Sequence, residues 1–247
     1  GTLLGPGALA LLAAAGVDRV CIRRLPRVAI RVTGNELVLP GATLAPGQIY
    51  ESIGLMLSVL AQTAGADPQL APPVPDDPAQ VRAALESAAD TADLLLTAGG
   101  ASVGDYDLVR SALLEAGGSV EQWRLAIKPG KPFFRGLLHG CPILGVPGNP
   151  VSAFVTTVLL VLPALRRLQG ATDVLPPTVP GFLEEPLSNG AERRHFVRVI
   201  READGRVRSA GVQGSHRLAS LAVANGLVDI PPRTQLRAGS RVAVICW

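Results

Sequence analysis

Apolar positions in this chain come in short blocks separated by glycine, proline and polar residues, and the spacing within each block predicts its element. Arg27 to Val32 is mostly apolar and predicts a first core strand that runs into the polar end Thr33-Gly34-Asn35-Glu36. Leu70 to Val74 predicts a second strand, and Leu94 to Leu96 a third that is buried on both faces. Between them, Tyr50 to Ala64 carries apolar residues at helical spacing and is stopped by Gly65, while Asp77 and Pro78 suit the N-cap and first position of a helix to about Ala92. Val109 to Ala116 predicts a helix closed by Gly117 and Gly118. Val120 to Ile127 reads as a strand entering Lys128-Pro129-Gly130-Lys131-Pro132. Phe133 to Leu138 and Pro142 to Val146 read as a hairpin about His139-Gly140, and Asn149 is placed to cap a helix to about Leu168. A short helix from Gly7 to Ala15, started by Pro6 and stopped by Gly16, precedes all of these.

Strand and helix thus alternate through residues 27–170, which predicts an α/β layer sandwich with a mostly parallel sheet and ligands at the strand C-termini. Residues 1–26 read as a lead-in segment, and 171–181, with Pro176, Pro177 and Pro180, as a linker. Over 182–247 the pattern changes. Arg193 to Arg201, Arg206 to Val212, Gly226 to Ile230 and Arg241 to Cys246 read as strands with no long helix among them, so a small all-β domain is expected.

Composition narrows the function. With 247 residues, 48% of them hydrophobic, the chain can bury a substantial core. Gly1 to Gly7 looks like mid-protein sequence, so a piece of a longer protein is expected. Cys21, Cys141 and Cys246 form no paired or C-x-x-C spacing, which favours the cytoplasm. His139, His195 and His216 are scattered, so a cation here is expected to be a hard one on oxygen ligands. The best candidate for a membrane span, Val151 to Leu165, is interrupted by Pro163, and no membrane association is expected. Basic residues number 13 against 14 acidic ones before residue 182 and 10 against 6 from there on, so the positive excess lies in the C-terminal part. Only 4% of residues are aromatic and the arginines are not gathered into a groove, which excludes nucleic acid in favour of a small anion or an ordinary solvated face.

The candidate chemistry centres on Leu94 to Asp107. Gly99, Gly100 and Gly104 allow positive φ and let backbone N–H groups approach an anion at a helix N-terminus; the same glycines also suit a tight structural turn. Asp105 and Asp107 add carboxylates that an anion site reconciles through a divalent cation. The chain's only two lysines, against 21 arginines, are Lys128 and Lys131 in one proline-bounded pentapeptide, which points to phosphate-like binding rather than a coincidental exposed turn. Gly148-Asn149-Pro150 reads as a helix cap that also brings N–H groups to the same sheet edge. Glu36 and Asp76 or Asp77 stand at strand ends, each by itself an ordinary turn residue or N-cap, together a carboxylate cluster suited to a cation. In Gly214-Ser215-His216, Ser215 is the better ligand candidate and His216 a polar loop residue.

In this order, T-G-N-E-L at 33 to 37, G-Q-I-Y-E-S at 47 to 52, G-G-A-S-V-G-D-Y-D at 99 to 107, A-I-K-P-G-K-P at 126 to 132, P-G-N-P-V-S-A at 147 to 153 and G-V-Q-G-S-H at 211 to 216 resemble the MoeA family, the molybdopterin molybdenumtransferases, of which the E domain of gephyrin is a relative. The resemblance covers almost the whole chain. It implies a three-layer molybdopterin-binding α/β domain followed by a barrel-like β domain, insertion of molybdate into adenylylated molybdopterin with release of AMP, and a need for Mg²⁺. By the same resemblance Gly99, Gly100, Ser102 and Gly104 cradle the pterin phosphate region, with Asn149, Ser152, Arg198 and Ser215 as further binding candidates. Lys128 and Lys131 bind molybdate or phosphate, Glu36 and Asp107 handle the cation or the displacement, and Asp76 and Asp77 are further metal candidates. The resemblance also implies a homodimer whose cleft uses N-terminal domains not found in this sequence, with a molybdopterin adenylyltransferase as a further partner. Asn35 replaces the usual Asp, and Ile53 the usual Asn of Y-D-x-N. A non-catalytic molybdopterin-binding scaffold, or adenylyl transfer by the same fold, are the competing readings; the smaller adenylyltransferases lack the K-P-G-K-P and β-domain signatures.

Overall fold

A computed structural model describes residues 1–99 and 106–247, with the side chains of Tyr106, Asp107, Gln122 and Trp123 left aside. Gly100, Ser102, Gly104 and Asp105 therefore lie outside the described residues, and of Asp107 only the backbone is described.

After α1 (Pro6–Ala14), the α/β part contains β1 (Arg27–Val32), β2 (Leu37–Val38), β3 (Ile49–Tyr50), α2 (Ile53–Thr63), β4 (Asp67–Leu70), α3 (Pro78–Ala89), β5 (Leu94–Ala98) and α4 (Tyr106–Glu115). It continues with β6 (Ser119–Arg124), β7 (Ile127–Lys128), β8 (Pro132–Leu138), β9 (Cys141–Val146) and α5 (Pro150–Leu168). Its sheet runs β4-β1-β5-β9-β8-β6; the first four strands are parallel and the last two are added antiparallel. Alternation along the central strands splits the core into two layers, because successive side chains point to opposite faces. Val28, Ile30 and Val32 pack with Leu94 and Leu96 against α2 and α5, whereas Ala29 and Leu95 pack against Val81 and Leu85 of α3 and Val109 and Leu113 of α4. All five residues of β5 are buried, as a strand covered on both faces requires.

The second part contains β10 (Thr178–Leu183), β11 (Leu187–Asn189), β12 (Arg194–Arg201), β13 (Arg206–Ser209), α6 (Leu218–Val223), β14 (Gly226–Ile230), β15 (Thr234–Leu236) and β16 (Arg241–Ile245). Strands β13-β10-β16-β14-β12 form a cylinder closed by pairing of β12 with β13, filled by Val197, Val199, Val207, Val228, Ile230 and Val244. Closure removes the edges a small open sheet would expose. The outer face of the barrel meets the first part: Phe196 of β12 and Leu227 of β14 join the α5 core layer, and Trp247 meets Phe154 edge to face at 4.8 Å.

Several expectations are corrected. The strand placed at Leu70 to Val74 is β4 (Asp67–Leu70), because Pro72 and Pro73 have no N–H to donate to a ladder; Val74 keeps one bridge to Thr33. The helix expected from Tyr50 starts at Ile53, since Tyr50 pairs with Val38. The strand expected over Val120 to Ile127 divides at Leu125, and its second piece, β7, joins the barrel instead of the α/β sheet. Inside the expected linker 171–181 a strand already begins at Thr178, paired with Ile245. The strand expected to reach Val212 ends at Ser209, and α6 is an unforeseen short helix. Helix α5 is apolar and long enough to cross a membrane, yet 61% of its most apolar stretch is buried inside the protein, as befits a core helix. Its middle widens into one π-turn, Thr157–Val161, just before Pro163, whose ring excludes the carbonyl four residues back and removes one hydrogen bond.

Candidate functional site

The C-terminal ends of β1, β5 and β9 meet closely, largely through backbone. Thr33 N–H donates to Ala98 O at 3.0 Å, extending the ladder by one residue. Gly99 has φ of +105°, and a Cβ there would lie 2.3 Å from Thr33 O; only glycine fits. Gly148 reaches the same point from β9, its Cβ position 3.3 Å from Gly99 Cα. The predicted convergence of these three strand ends is thus a close-packed floor, in which the Thr33 hydroxyl also lies 3.0 Å from the Cβ position of Gly99.

Around this floor the carboxylates divide by duty. Asn35 N–H donates to Asp76 Oδ2 and Asp76 N–H donates to Asn35 Oδ1, both at 3.0 Å, so the two loops are latched reciprocally. The amide oxygen of Asn35 serves this latch as a carboxylate oxygen would. Asp77 Oδ1 accepts from Gln80 N–H at 2.9 Å and is the N-cap of α3, its ordinary role. Glu36 is exposed with its carboxylate folded over Gly34, at the rim of the floor. Among the described residues no three His, Cys, Asp or Glu side chains are grouped to hold a metal ion, although Glu36 and Asp76 supply hard oxygen donors at one rim.

The lysine loop is supported from two sides. Lys128 and Lys131 are exposed, while Pro129 and Gly130 are buried. Leu125 N–H closes the loop onto Lys131 O at 2.7 Å. Gly130 (φ +107°) lies so close to α5 that a Cβ would come within 2.7 Å of Thr156 Cγ2. The ammonium groups therefore stand on a rigid base with no ion pair among the described residues.

At the N-terminus of α5 the expectation narrows. Asn149 occupies the N-cap position but makes no side-chain cap. Pro150 has no N–H, and Val151 N–H donates to Ser215 O at 3.2 Å, so the helix start is capped by the 211–217 loop and offers a ligand fewer donors than predicted. Ser152 is buried in this first turn. Ser215 is brought to the site, with its carbonyl engaged.

Arg198 does not reach the floor as an exposed ligand. It is fully buried, with Nε donating to Ser220 Oγ at 3.0 Å and Nη2 to Val212 O and Gly214 O at 2.9 and 3.2 Å. Gln213 brackets its backbone, Oε1 accepting from Arg198 N–H and Nε2 donating to Arg198 O. Arg198 is thus the anchor of the loop that presents Ser215. Burial lowers its pKa, and its Nη1 has no partner among the described residues.

Sequence reasoning missed three residues. Glu51 is buried and its Oε1 accepts from Gly54 N–H at 2.7 Å, capping α2 in place of a side chain at Ser52. His195 is buried opposite Lys128, its pKa pushed down to about 4 by burial, then by Lys128 and Arg198. Arg193 donates to Ile127 O at 3.0 Å. Only the strand-like run Arg193 to Arg201 signalled the last two, as barrel residues.

The sequence profile described as "Probable molybdopterin binding domain" matches residues 29–167, and that described as "MoeA C-terminal region (domain IV)" matches 181–247. The chain belongs to the MoeA family. Among curated MoeA relatives, molybdopterin molybdenumtransferase 2 of Mycobacterium tuberculosis is 39% identical and the molybdopterin molybdenumtransferase of Haemophilus influenzae 36% identical, each over 99% of this chain. The chain spans 62% of the length of each. A solved MoeA structure from Pyrococcus horikoshii superposes with a TM-score of 0.84 at 34% identity, covering 98% of this chain and 60% of its own. A molybdenum cofactor biosynthesis protein from Pyrococcus furiosus gives 0.75 at 28% identity, covering 100% and 77%.

Proposed function

We propose that this chain is the substrate-binding and barrel portion of a cytoplasmic molybdopterin molybdenumtransferase, which inserts molybdate into adenylylated molybdopterin and releases AMP. The observations that carry the reading are a glycine backbone floor with carboxylates at its rim and two exposed, rigidly based lysines on a loop packed against α5, the helix that follows Gly148 of that floor. A phosphorylated pterin and an oxyanion require such a set: N–H groups and ammoniums for the negative charge, hard oxygens for a cation. The relatives named for this activity support it.

In this reading Gly99, with Gly100, Ser102 and Gly104, receives the pterin phosphate, and Lys128 and Lys131 bind the molybdate or phosphate oxygens. Glu36, Asp107 and Asp76 are the residues for Mg²⁺, which would neutralise charge on the displaced phosphate. Asp77 contributes through α3. Asn149, Ser152 and Ser215 shape the α5 side, and Arg198 acts through the 211–217 loop. A homodimer is supported by apolar surface on α2 and the β2–β3 arm, where Leu55, Val59 and Ile49 are 61%, 53% and 55% exposed.

The second reading, a non-catalytic molybdopterin-binding module, draws on Asn35, which puts an amide where the family usually has a carboxylate. Calorimetric titration of the chain with molybdopterin, with and without Mg²⁺ and molybdate, tests the pocket. Binding strengthened by Mg²⁺ is the expected result; absence of binding under all conditions would overturn both readings. Consumption of ATP with pyrophosphate release would instead mark adenylyl transfer.

A further inference from the structure

The loop that carries both lysines is held by the barrel more than by the sheet from which it emerges. Ile127–Lys128 pairs in parallel with Arg194–His195 of β12. Arg194 N–H donates to Ala126 O at 2.9 Å, and the Arg193 guanidinium donates to Ile127 O at 3.0 Å. Three consecutive barrel residues thus grip the three residues ending at Lys128. The neighbouring acid does not draw Arg193 away, because Glu192 is engaged by Arg233 at 2.6 Å. His195, the register partner of Lys128, is buried and neutral, so no second formal charge from that position lies beneath the ammonium at neutral pH.

We propose that β12 is a working part of the anion site, with Arg193 as a positioning residue for Lys128. The inference rests on the reading of the lysine loop as an anion binder. A lysine ammonium on a flexible four-carbon stem is placed only as well as its Cα is placed. A two-residue strand at a barrel edge is a weak hold, and the side-chain bond from Arg193 fixes the carbonyl immediately before Lys128. The class of ligand is the tetrahedral oxyanion or phosphate proposed for this loop, and the barrel sets where it is met.

The composition supplies the test, since Lys128 and Lys131 are the only lysines. Reductive ¹³C-methylation of the full chain yields two lysine side-chain signals besides the amino terminus, assigned with Lys128→Arg and Lys131→Arg. Arg193→Ala is expected to move and broaden the Lys128 signal before any ligand is added, and to weaken its response to molybdate about five- to tenfold, the scale of one lost hydrogen bond. The Lys131 signal should change less, and Arg193→Gln, which keeps a side-chain N–H donor without adding a lysine, should restore part of the loss. An unchanged Lys128 signal and molybdate affinity in Arg193→Ala would overturn the proposal, as would equal loss at both lysines together with a lowered unfolding midpoint. If neither lysine of the unsubstituted chain responds to molybdate, the anion-binding reading fails; the ligand-free Lys128 signal in Arg193→Ala still decides the positioning role.

Discussion

His195 shows how a single side chain can report on the joint between the two parts of the molecule. It is 8% exposed, its Nε2 has no partner among the described residues, and Lys128 and Arg198 both oppose its protonation. Well above pH 6.5 the imidazole is neutral in folded and unfolded chains alike and does not affect stability. As pH falls from there towards 4, the unfolded chain binds a proton that the folded chain excludes, so stability drops across that window and levels off below it. The full effect is about 3 kcal/mol for a shift of this size. Replacing His195 by Gln should flatten the dependence of unfolding free energy on pH between 6.5 and 4, read by denaturant titration; a slope unchanged from the parent chain would show that His195 does not carry it. Nothing in the sequence singled this histidine out, because its burial comes from barrel closure between strands distant in the chain.

At the scale of elements, the central strands were legible because strands buried on both faces must be apolar, and β1, β5 and β9 carry that constraint in their own residues. The terminators were legible for a similar reason: Gly65, Gly117 and Gly140 adopt positive φ where turns were expected. What could not be read was any element whose reason lies far away. Strand β7 exists because Arg194 and His195 pair with it, and a two-residue strand has no periodicity to recognise. Of the proposed site, the left-handed backbone of Gly99 and the tight proline-bounded lysine loop were legible from backbone chemistry and composition. The duties of Asp76 and Arg198 were not, since a carboxylate or guanidinium reads alike whether it meets a ligand or a loop, whereas Asp77 fills the N-cap position expected of it. Asp77 gives a clean test of that distinction. As the N-cap of α3 it should lose about 1 kcal/mol of stability on replacement by Ala, measured by chemical denaturation. Binding of Mg²⁺ and molybdate should stay near the parent value; a severe loss of Mg²⁺-dependent binding with unchanged stability would make it a metal ligand after all.

Taken whole, the molecule holds the groups proposed to bind the anion by three supports. The parallel sheet supplies the glycine floor, α5 supplies the wall against Gly130, and the barrel supplies both the grip on Lys128 and the loop that caps α5. Arg198 joins the last two, since the loop it anchors delivers the Ser215 carbonyl to Val151. Under the proposed reading, the barrel sets the geometry of the site. The most direct measurement is release of AMP by the intact protein, including the residues its relatives carry beyond this chain, on supplying adenylylated molybdopterin, molybdate and Mg²⁺. The account predicts AMP release dependent on both molybdate and Mg²⁺, slowed at least tenfold by Lys131→Ala, since a charge-assisted contact is lost. Tight binding of the adenylylated pterin with no AMP released, or release at an unaltered rate in the Lys131→Ala protein, would contradict it.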